Sequence, residues 1–588
     1  MAYDGMTMAA ICNELQCLVG AKIDKIYQPE QLTLLLHLRH RDGNRYRLLL
    51  SAEAMGARIH LTNYPYENPA SPPMFCMLLR KYLEGGKIVS IAQQSLERVM
   101  IITIEAYNEL RELCQRQLVC EIMGKHSNII LVNPATGLIM DGIKRYSHAV
   151  SRHREVLPGS PYLEPPQQHK KDPRLISYED FEQGILEQLG KTVQKSLVNM
   201  LEGISPLLAG EVIHRAGLPQ DTVVDAMGAF EFERLYSSLQ ELVEELQSGC
   251  PTPSLVKDKK GITGFSAFKL SRFAPDLIHP PSVNETIDTY YKTEKEQRRF
   301  TGLQHKLTQV VTKELERCYK KAGLQEDTIR LALEAEEFRI KGEILTANIF
   351  RVRPGDTEIT LENFYDPEGG TITISLLPEL TPADNAQRYF RRYNKAKNAA
   401  QKAARYYQET KEEIAYLEGI QHSLETADTL GDLEEIREEL MKQGYLKKEA
   451  RKEAGKKPTG KPEVLAYQSS DGFSLLIGKN NRQNDYLTLK VAKDHDLWLH
   501  TKDIPGSHVI IRNPDRKPIP EQTLLEAANL AAYYSKGRMS SKVPVDYTER
   551  RNVKKPNGAK PGMVIYENNQ TIYITPDQEL IDKLTQQE

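Results

Sequence analysis

Cysteine is sparse and unpatterned: seven residues lie scattered through 588, odd in number and without a C-x-x-C pair. That argues against both a disulfide framework and a zinc ribbon. No apolar run approaches the roughly 18 residues of a membrane span, and Met-Ala-Tyr-Asp-Gly at the start has no basic stretch leading into an apolar one. A membrane helix and an export signal are therefore not expected, and the reading places the protein in a reducing cytoplasm. Excess charge is also missing, since 78 Lys and Arg face 80 Asp and Glu. A nucleic-acid function would have to rest on cations segregated into patches. Catalytic signatures are absent as well: there is no G-x-x-x-x-G-K-[ST], no H-E-x-x-H and no nucleophile elbow. No enzymatic centre, metal or cofactor is expected. At about 150 residues per domain the length points to roughly four units.

Tryptophan occurs once, at Trp498, inside D-L-W-L-H-T-K-D-I-P-G-S-H-V-I-I from Asp496 to Ile511. Leu497 to His500 alternate as a strand does, Pro505-Gly506 supplies a turn and Val509 to Ile511 resume strand character. This places His500 and His508 at the two ends of one hairpin. Taken singly, each histidine reads as a hydrogen-bonded structural residue. Lys536, Arg538, Lys542, Arg550, Arg551, Lys554, Lys555 and Lys560 follow among Gly, Ser and Pro, with only Asp546 and Glu549 opposing them locally. Such a loop suits a phosphate backbone better than a core.

Upstream the pattern is mixed. Met8 to Leu18 and Met74 to Leu83 have helical spacing, while Leu32–Leu38, Arg45–Leu50, Val99–Glu105, Gln117–Met123, Asn128–Val132 and Leu138–Ile143 read as strands. Residues 158–173, rich in Pro and Gln, read as a linker. Lys195 to Gly217 resembles a helix-hairpin-helix turning at Gly203-Ile204-Ser205-Pro206, where Ser205 replaces the usual second glycine and favours packing over direct phosphate binding. Leu255 to Phe273 returns to strand-like sequence, an expected addition to the first domain's sheet.

From Asn284 to Lys341 the chain turns charged and helical. Phe300, Leu303, Leu307, Val311, Leu315 and Cys318 keep one apolar stripe, as a paired helix requires. Unbroken, this arm would span on the order of 80 Å. A strand-rich insert from Glu343 to Pro382 precedes a second helical stretch, Ala383 to Ala427, so the expected geometry is an antiparallel coiled coil with a β cap. The second stretch opens with Arg388, Arg391, Arg392, Lys395, Lys397, Lys402 and Arg405, unopposed by acid between Asp384 and Glu409, a one-sided run suited to RNA. Lys447 to Lys461 reads as a flexible basic linker.

Two patterns in the first domain could bear function. Glu97-Arg98 stands at a strand entrance, and M-G-K-H-S-N-I-I-L from Met123 to Leu131 displays a cation, an imidazole, a hydroxyl and an amide in one turn. Turn chemistry alone accounts for Gly124 and Asn128. Together with Tyr3-Asp4-Gly5, E-N-P at Glu67 to Pro69, P-P-M-F-C-M-L-L-R-K at Pro72 to Lys81, V-D-Y-T at Val545 to Thr548 and K-P-N-G-A-K-P-G at Lys555 to Gly562, they resemble the RqcH/NEMF (NFACT) family of ribosome-associated quality control factors, in its bacterial branch.

The resemblance implies a multidomain α+β protein. Its parts would be an N-terminal domain over 1–173 with a returning segment 254–275, a helix-hairpin-helix domain over 174–253, a coiled coil over 284–440 with a middle cap at 343–382, and an RNA-binding domain over 447–580. It implies binding to the large ribosomal subunit with stalled peptidyl-tRNA and its nascent chain, recruitment of alanyl-tRNA and template-free alanine tailing, with peptide bonds made by the ribosome. It carries a tRNA-binding set over to Glu97, Arg98, Glu121, Met123, Gly124, Lys125, His126 and Asn128, and an RNA-binding set to His500, His508, Lys536, Arg538, Arg550, Arg551, Lys554 and Lys555. The family's Asp-Arg dipeptide is Glu97-Arg98 here, one methylene longer at the acid. Two other readings remain open. One is a surface fibronectin-binding adhesin, which would need export and anchoring. The other is a glycosylase-like nucleic-acid binder, which would need a proline where Ala2 stands and a zinc finger.

Overall fold

The computed structural model describes residues 3–147, 154–166, 168–258, 261–447, 462 and 464–585. It resolves into two compact units, Met1–Gln297 and Arg298–Glu588. The basic linker beyond Lys447 falls, up to Lys461, outside the described residues.

The first unit is built on a nine-stranded sheet in the order Arg58–Leu61, Arg45–Ser51, Thr33–Arg39, Lys22–Glu30, Lys87–Gln93, Val99–Tyr107, Leu113–Glu121, Asn128–Asn133 and Leu138–Gly142. Neighbours pair antiparallel throughout. Alternation explains how Val99–Tyr107 sits in the middle. Met100, Ile102 and Ile104 enter the main core, and Val99 joins Val119, Ile130 and Val156 on the other face, because successive side chains point to opposite sides of a strand. Helix Gly5–Leu15 starts where Asp4 accepts the backbone N–H of Thr7 at 2.8 Å, a side-chain N-cap.

Helices Tyr178–Leu186, Val193–Met200, Pro206–Arg215 and Ala229–Gln247 put Phe181, Leu197, Leu208 and Leu239 into that same main core. Residues 254–278 do not extend the nine-stranded sheet. They form their own three-stranded sheet, with Ser254–Asp258 between Gly261–Ser266 and Leu277–Ile278, and the segment's buried side chains Leu255, Phe265, Ala267 and Phe268 reach the shared core. Packing, rather than strand pairing, brings the segment back.

The long helix Val283–Glu334 breaks at Ala335 and resumes as Glu336–Ala347, so the helical arm is bent and runs past Glu343, where the insert was expected to begin. The insert itself is the hairpin Glu358–Glu362 with Thr371–Ser375. The return helix is Pro382–Glu425. Leu307, Val311, Leu315 and Cys318 pack against Tyr416, Leu417, Ile420 and Leu424, which gives the apolar stripe its partner in a coiled coil.

The C-terminal module is a six-stranded antiparallel sheet in the order Leu465–Gln468, Ser474–Ile477, Val509–Ile511, Leu497–Thr501, Val543–Glu549 and Gln570–Ile574. Leu499, Val509 and Val545 face the small-residue side of helix Glu521–Tyr533, where Ala527, Ala528 and Ala531 let it approach closely. Trp498 and Ile510 fall on the opposite face with Leu487 and Val553.

Helix Leu430–Lys442 carries Glu439, only 4% exposed. Its Oε1 accepts the Tyr416 hydroxyl at 2.8 Å and the Asn481 amide at 3.2 Å, while Oε2 has no partner among the described residues. Burial, only partly offset by those hydrogen bonds, pushes this carboxyl up to about 7. A raised acid favours the folded state fully below its unfolded value near 4.5, and the contribution is lost as pH rises through about 7. Glu439→Gln is therefore expected to leave the unfolding temperature unchanged at pH 4 and to raise stability at pH 8.5 by on the order of 2 kcal/mol, read by calorimetry at the two pH values.

Candidate nucleic-acid interface

Glu97 and Arg98 occupy the turn between strands Lys87–Gln93 and Val99–Tyr107, held by the Glu97 N–H on the Gln94 carbonyl at 3.0 Å and by the Ile122 N–H on the Arg98 carbonyl at 2.9 Å. Antiparallel register sets Val99 opposite Glu121 and Glu121 opposite Asn128. The dipeptide and the Met123–Asn128 turn thus meet at one end of the sheet, although they are far apart in the linear reading.

The helix-hairpin-helix comes to the same end. The Met6 N–H donates to the Gly203 carbonyl at 3.1 Å, and the Ser205 N–H donates to Asp4 Oδ2 at 3.3 Å. Ser205 Oγ caps Pro206–Arg215 by accepting the Leu208 N–H. The serine is thus a cap and a packing contact at the hairpin. Glu202 fastens the third side, accepting Ser95 Oγ–H at 2.7 Å and the Leu96 N–H at 3.2 Å. A cleft of about 240 Å³ results, lined by Asp4, Glu97, Arg98, Lys170, Glu202 and Gly203 among others.

Burial first and the nearby Glu202 second raise the Glu97 carboxyl, against the pull of Arg98 and Lys170. Burial lowers the Lys170 ammonium. Lys170 and Glu202 escaped sequence reasoning because one lies in a segment read as linker and the other in the short turn after helix Val193–Met200. No local signal marks either.

Contact at this junction is backbone on backbone. A Cβ on Gly5 would stand 1.8 Å from the Leu96 oxygen and 2.6 Å from Gly203 Cα. Neither can rotate away as a flexible side chain could, so Gly5→Ala is expected to destabilise the first unit by about 2 kcal/mol and to widen the cleft. Thermal unfolding together with protease sensitivity near residue 96 would check this.

Within the Met123–Asn128 turn the structure separates display from scaffold. Lys125 and His126 are exposed. Gly124 takes φ +60, and Ser127 is fully buried and accepts the Met123 N–H. Asn128, 1% exposed, accepts the Ile129 and Lys144 N–H groups and donates to the Lys144 carbonyl. Glu121 is also internal. Both of its oxygens are held by Arg154, and Oε1 also accepts the Tyr162 hydroxyl at 2.9 Å. Of the eight residues in the carried-over tRNA set, Glu121 and Asn128 act inside the domain.

In the C-terminal module the local reading of two opposing acids is corrected by acids from elsewhere in the chain. Lys555 pairs with Asp485, Arg550 reaches the Thr488 carbonyl at 2.9 Å and Asp494 at 3.4 Å, and Lys560 donates to the Tyr445 hydroxyl at 2.7 Å. These three are clamps as well as charges. Arg538 lies over the Tyr533 ring at 3.9 Å, and exposed Arg551 pairs with Glu549 at 2.6 Å. Lys536, Lys542 and Lys554 are exposed. His508 is buried and His500 half-buried.

A sheet domain with a helix-hairpin-helix at one end, a coiled coil and a basic sheet-plus-helix module define a modular RNA-binding protein. Comparison with known sequences makes this specific. The NFACT N-terminal and middle domains match residues 4–459, and the NFACT protein RNA binding domain matches residues 463–568. The Rqc2 homolog RqcH of Bacillus subtilis is 40% identical over 99% of this chain and 100% of its own length, and the Rqc2 homolog RqcH of Streptococcus suis is 36% identical over 99% of this chain. A solved fibrinogen binding protein from Staphylococcus aureus, 32% identical, covers 50% of this chain and 99% of its own, with a TM-score of 0.42. The chain belongs to the NFACT family, the RqcH/NEMF ribosome quality control factors.

Proposed function

We propose that this protein binds the large ribosomal subunit carrying a stalled peptidyl-tRNA, recruits alanyl-tRNA and directs template-free addition of C-terminal alanines that mark the nascent chain for degradation. Peptide bonds would be made by the ribosome. The protein supplies binding energy and orientation, a contribution that can replace a nucleophile of its own when the reacting groups are held by a host machine. The observation that carries the reading is the convergence of Arg98, the Lys125-His126 turn and the Gly203–Pro206 hairpin at one end of a single sheet. There a planar guanidinium can engage phosphate bidentately or stack on a base.

The same reading gives the C-terminal cations the task of holding RNA. Their binding would be sensitive to salt, because each phosphate neutralised releases counterions. Sequencing the RNA that co-purifies with the intact chain at several salt concentrations tests the proposal. Alanine-accepting tRNA is expected to dominate the small RNA, together with large-subunit RNA. A preparation that carries neither after gentle lysis would refute it. An adhesin would instead fractionate with the cell envelope.

A further inference from the structure

The second unit contains a cavity that the proposed function leaves unused. It measures about 470 Å³ and lies between helix Pro382–Glu425 and the sheet face carrying Trp498. Alternation along Leu497–Thr501 puts Trp498 and His500 on one face, and pairing of Leu499 with Val509 sets His508 across from His500. The two imidazoles stand 5.3 Å apart and nearly perpendicular. Trp498 lies behind His500, 5.8 Å away and 20° from parallel, and Tyr566 is 4.9 Å from Trp498.

Trp498 and His508 are almost wholly buried, so His500 and Tyr566 are the ring surfaces that the cavity presents. His508 is fixed from behind by Thr488 Oγ1 at 2.7 Å and by its own N–H on Asn484 at 3.0 Å. Burial pushes His500 down to about 4 and His508 well below its ordinary value, so both rings are neutral at physiological pH. The indole N–H of Trp498 is buried and without an acceptor among the described residues.

The charged side chains lining the cavity are acids, Asp503 and Glu418. Glu418 accepts the Tyr319 hydroxyl at 2.8 Å and stands 3.7 Å from Lys536, whereas Asp503 is exposed at the mouth. Cations lie just outside, with Lys536 beside Glu418 and Lys560 Nζ 4.5 Å above the Tyr416 ring. A cationic side chain entering the cavity would pass these lysines, but a nucleotide would place its phosphates on them.

We propose that this cavity takes one unpaired guanine from a single-stranded RNA, stacked on His500, with its Watson–Crick edge on the Asp503 carboxylate and its phosphates nearest Lys536 and Lys560. The inference rests on the RNA-binding reading of this domain. Unpaired bases are ordinarily read by stacking on aromatic or histidine rings and by hydrogen bonds to their edges. Guanine alone offers two adjacent donors there, N1–H and the N2 amino group, matching the two oxygens of a carboxylate. Adenine and cytosine offer one donor beside an acceptor, and uracil offers one between two acceptors.

The test uses the full chain and labelled uridine tracts of about ten nucleotides carrying G, inosine, A or U at the centre. Fluorescence anisotropy is followed together with emission from Trp498, the only tryptophan in the protein. The G tract is expected to bind about tenfold tighter than the A or U tract and to quench Trp498, a discrimination typical of a bidentate base contact. Inosine, which lacks the N2 amino group, is expected to lose most of the advantage. Asp503→Asn should erase the difference between the G and inosine tracts. Asn also tolerates the φ of +55 at this position. Equal affinity for all four tracts would overturn the proposal, as would a G preference that survives Asp503→Asn, or quenching by an arginine-rich peptide and not by the G tract. Failure of every tract to bind at low salt would instead overturn RNA binding by the domain itself.

Discussion

Arg98→Ala is expected to strip tRNA from the purified protein, by at least tenfold, while large-subunit association stays within about twofold. The substitution removes a planar cation from a cleft already bounded by Glu97, Lys170 and the hairpin glycine, and under the proposed function that cation would make a charge-assisted bidentate contact to phosphate, among the stronger hydrogen-bonded interactions a side chain makes. Arg98→Lys should recover little, because an ammonium keeps the charge without the fork or the stacking plane. The backbone role of residue 98, its carbonyl accepting the Ile122 N–H, survives both changes. Northern blotting or sequencing of co-purified RNA, alongside sucrose-gradient sedimentation with large subunits, separates the two activities. Full tRNA recovery by Arg98→Ala would show that the site assignment is wrong.

Glu121→Ala is expected to be strongly destabilising, at about 3 to 5 kcal/mol. Glu121 and Arg154 side chains are 0% and 6% exposed, and removal of the carboxylate leaves a buried guanidinium with only the Leu163 carbonyl as acceptor and no opposing charge, and the Tyr162 hydroxyl without its Glu121 acceptor. Removing both partners should cost less than the sum of the two single changes, because the double variant buries no uncompensated charge. A double-mutant cycle of Glu121→Ala and Arg154→Ala, followed by chemical denaturation, measures this. Additive losses would mean that the pair is not coupled. Since Glu121 also stands in register with Asn128, its loss should loosen the turn that presents Lys125 and His126.

The elements themselves were largely legible. Strand Leu497–Thr501 was visible through period-two alternation, strands Val99–Tyr107 and Asn128–Asn133 through their apolar runs, helix Met74–Leu83 through its spacing after Pro72-Pro73, and the coiled-coil stripe from Phe300 to Cys318 through its regular apolar repeat. Helix Glu521–Tyr533 was not read from the sequence; half of its buried residues are alanine and three others are polar, so its apolar face contrasts little with its polar one. The candidate site was legible in pieces. Glu97-Arg98 and the Met123 turn could be named, but their meeting depends on antiparallel register, and the Asp4, Glu202 and Gly203 contacts span large sequence separations.

Sequence alone determined the kind of elements, the family and the set of candidate cations, because periodicity and short motifs are local properties of the chain. Tertiary structure decided which candidates face outward. Asp485, Asp494 and Arg154 lie far along the chain from the residues they pair with, and only folding brings such charges within a few ångströms; for Arg154 and Glu121, burial and low dielectric make that pairing decisive.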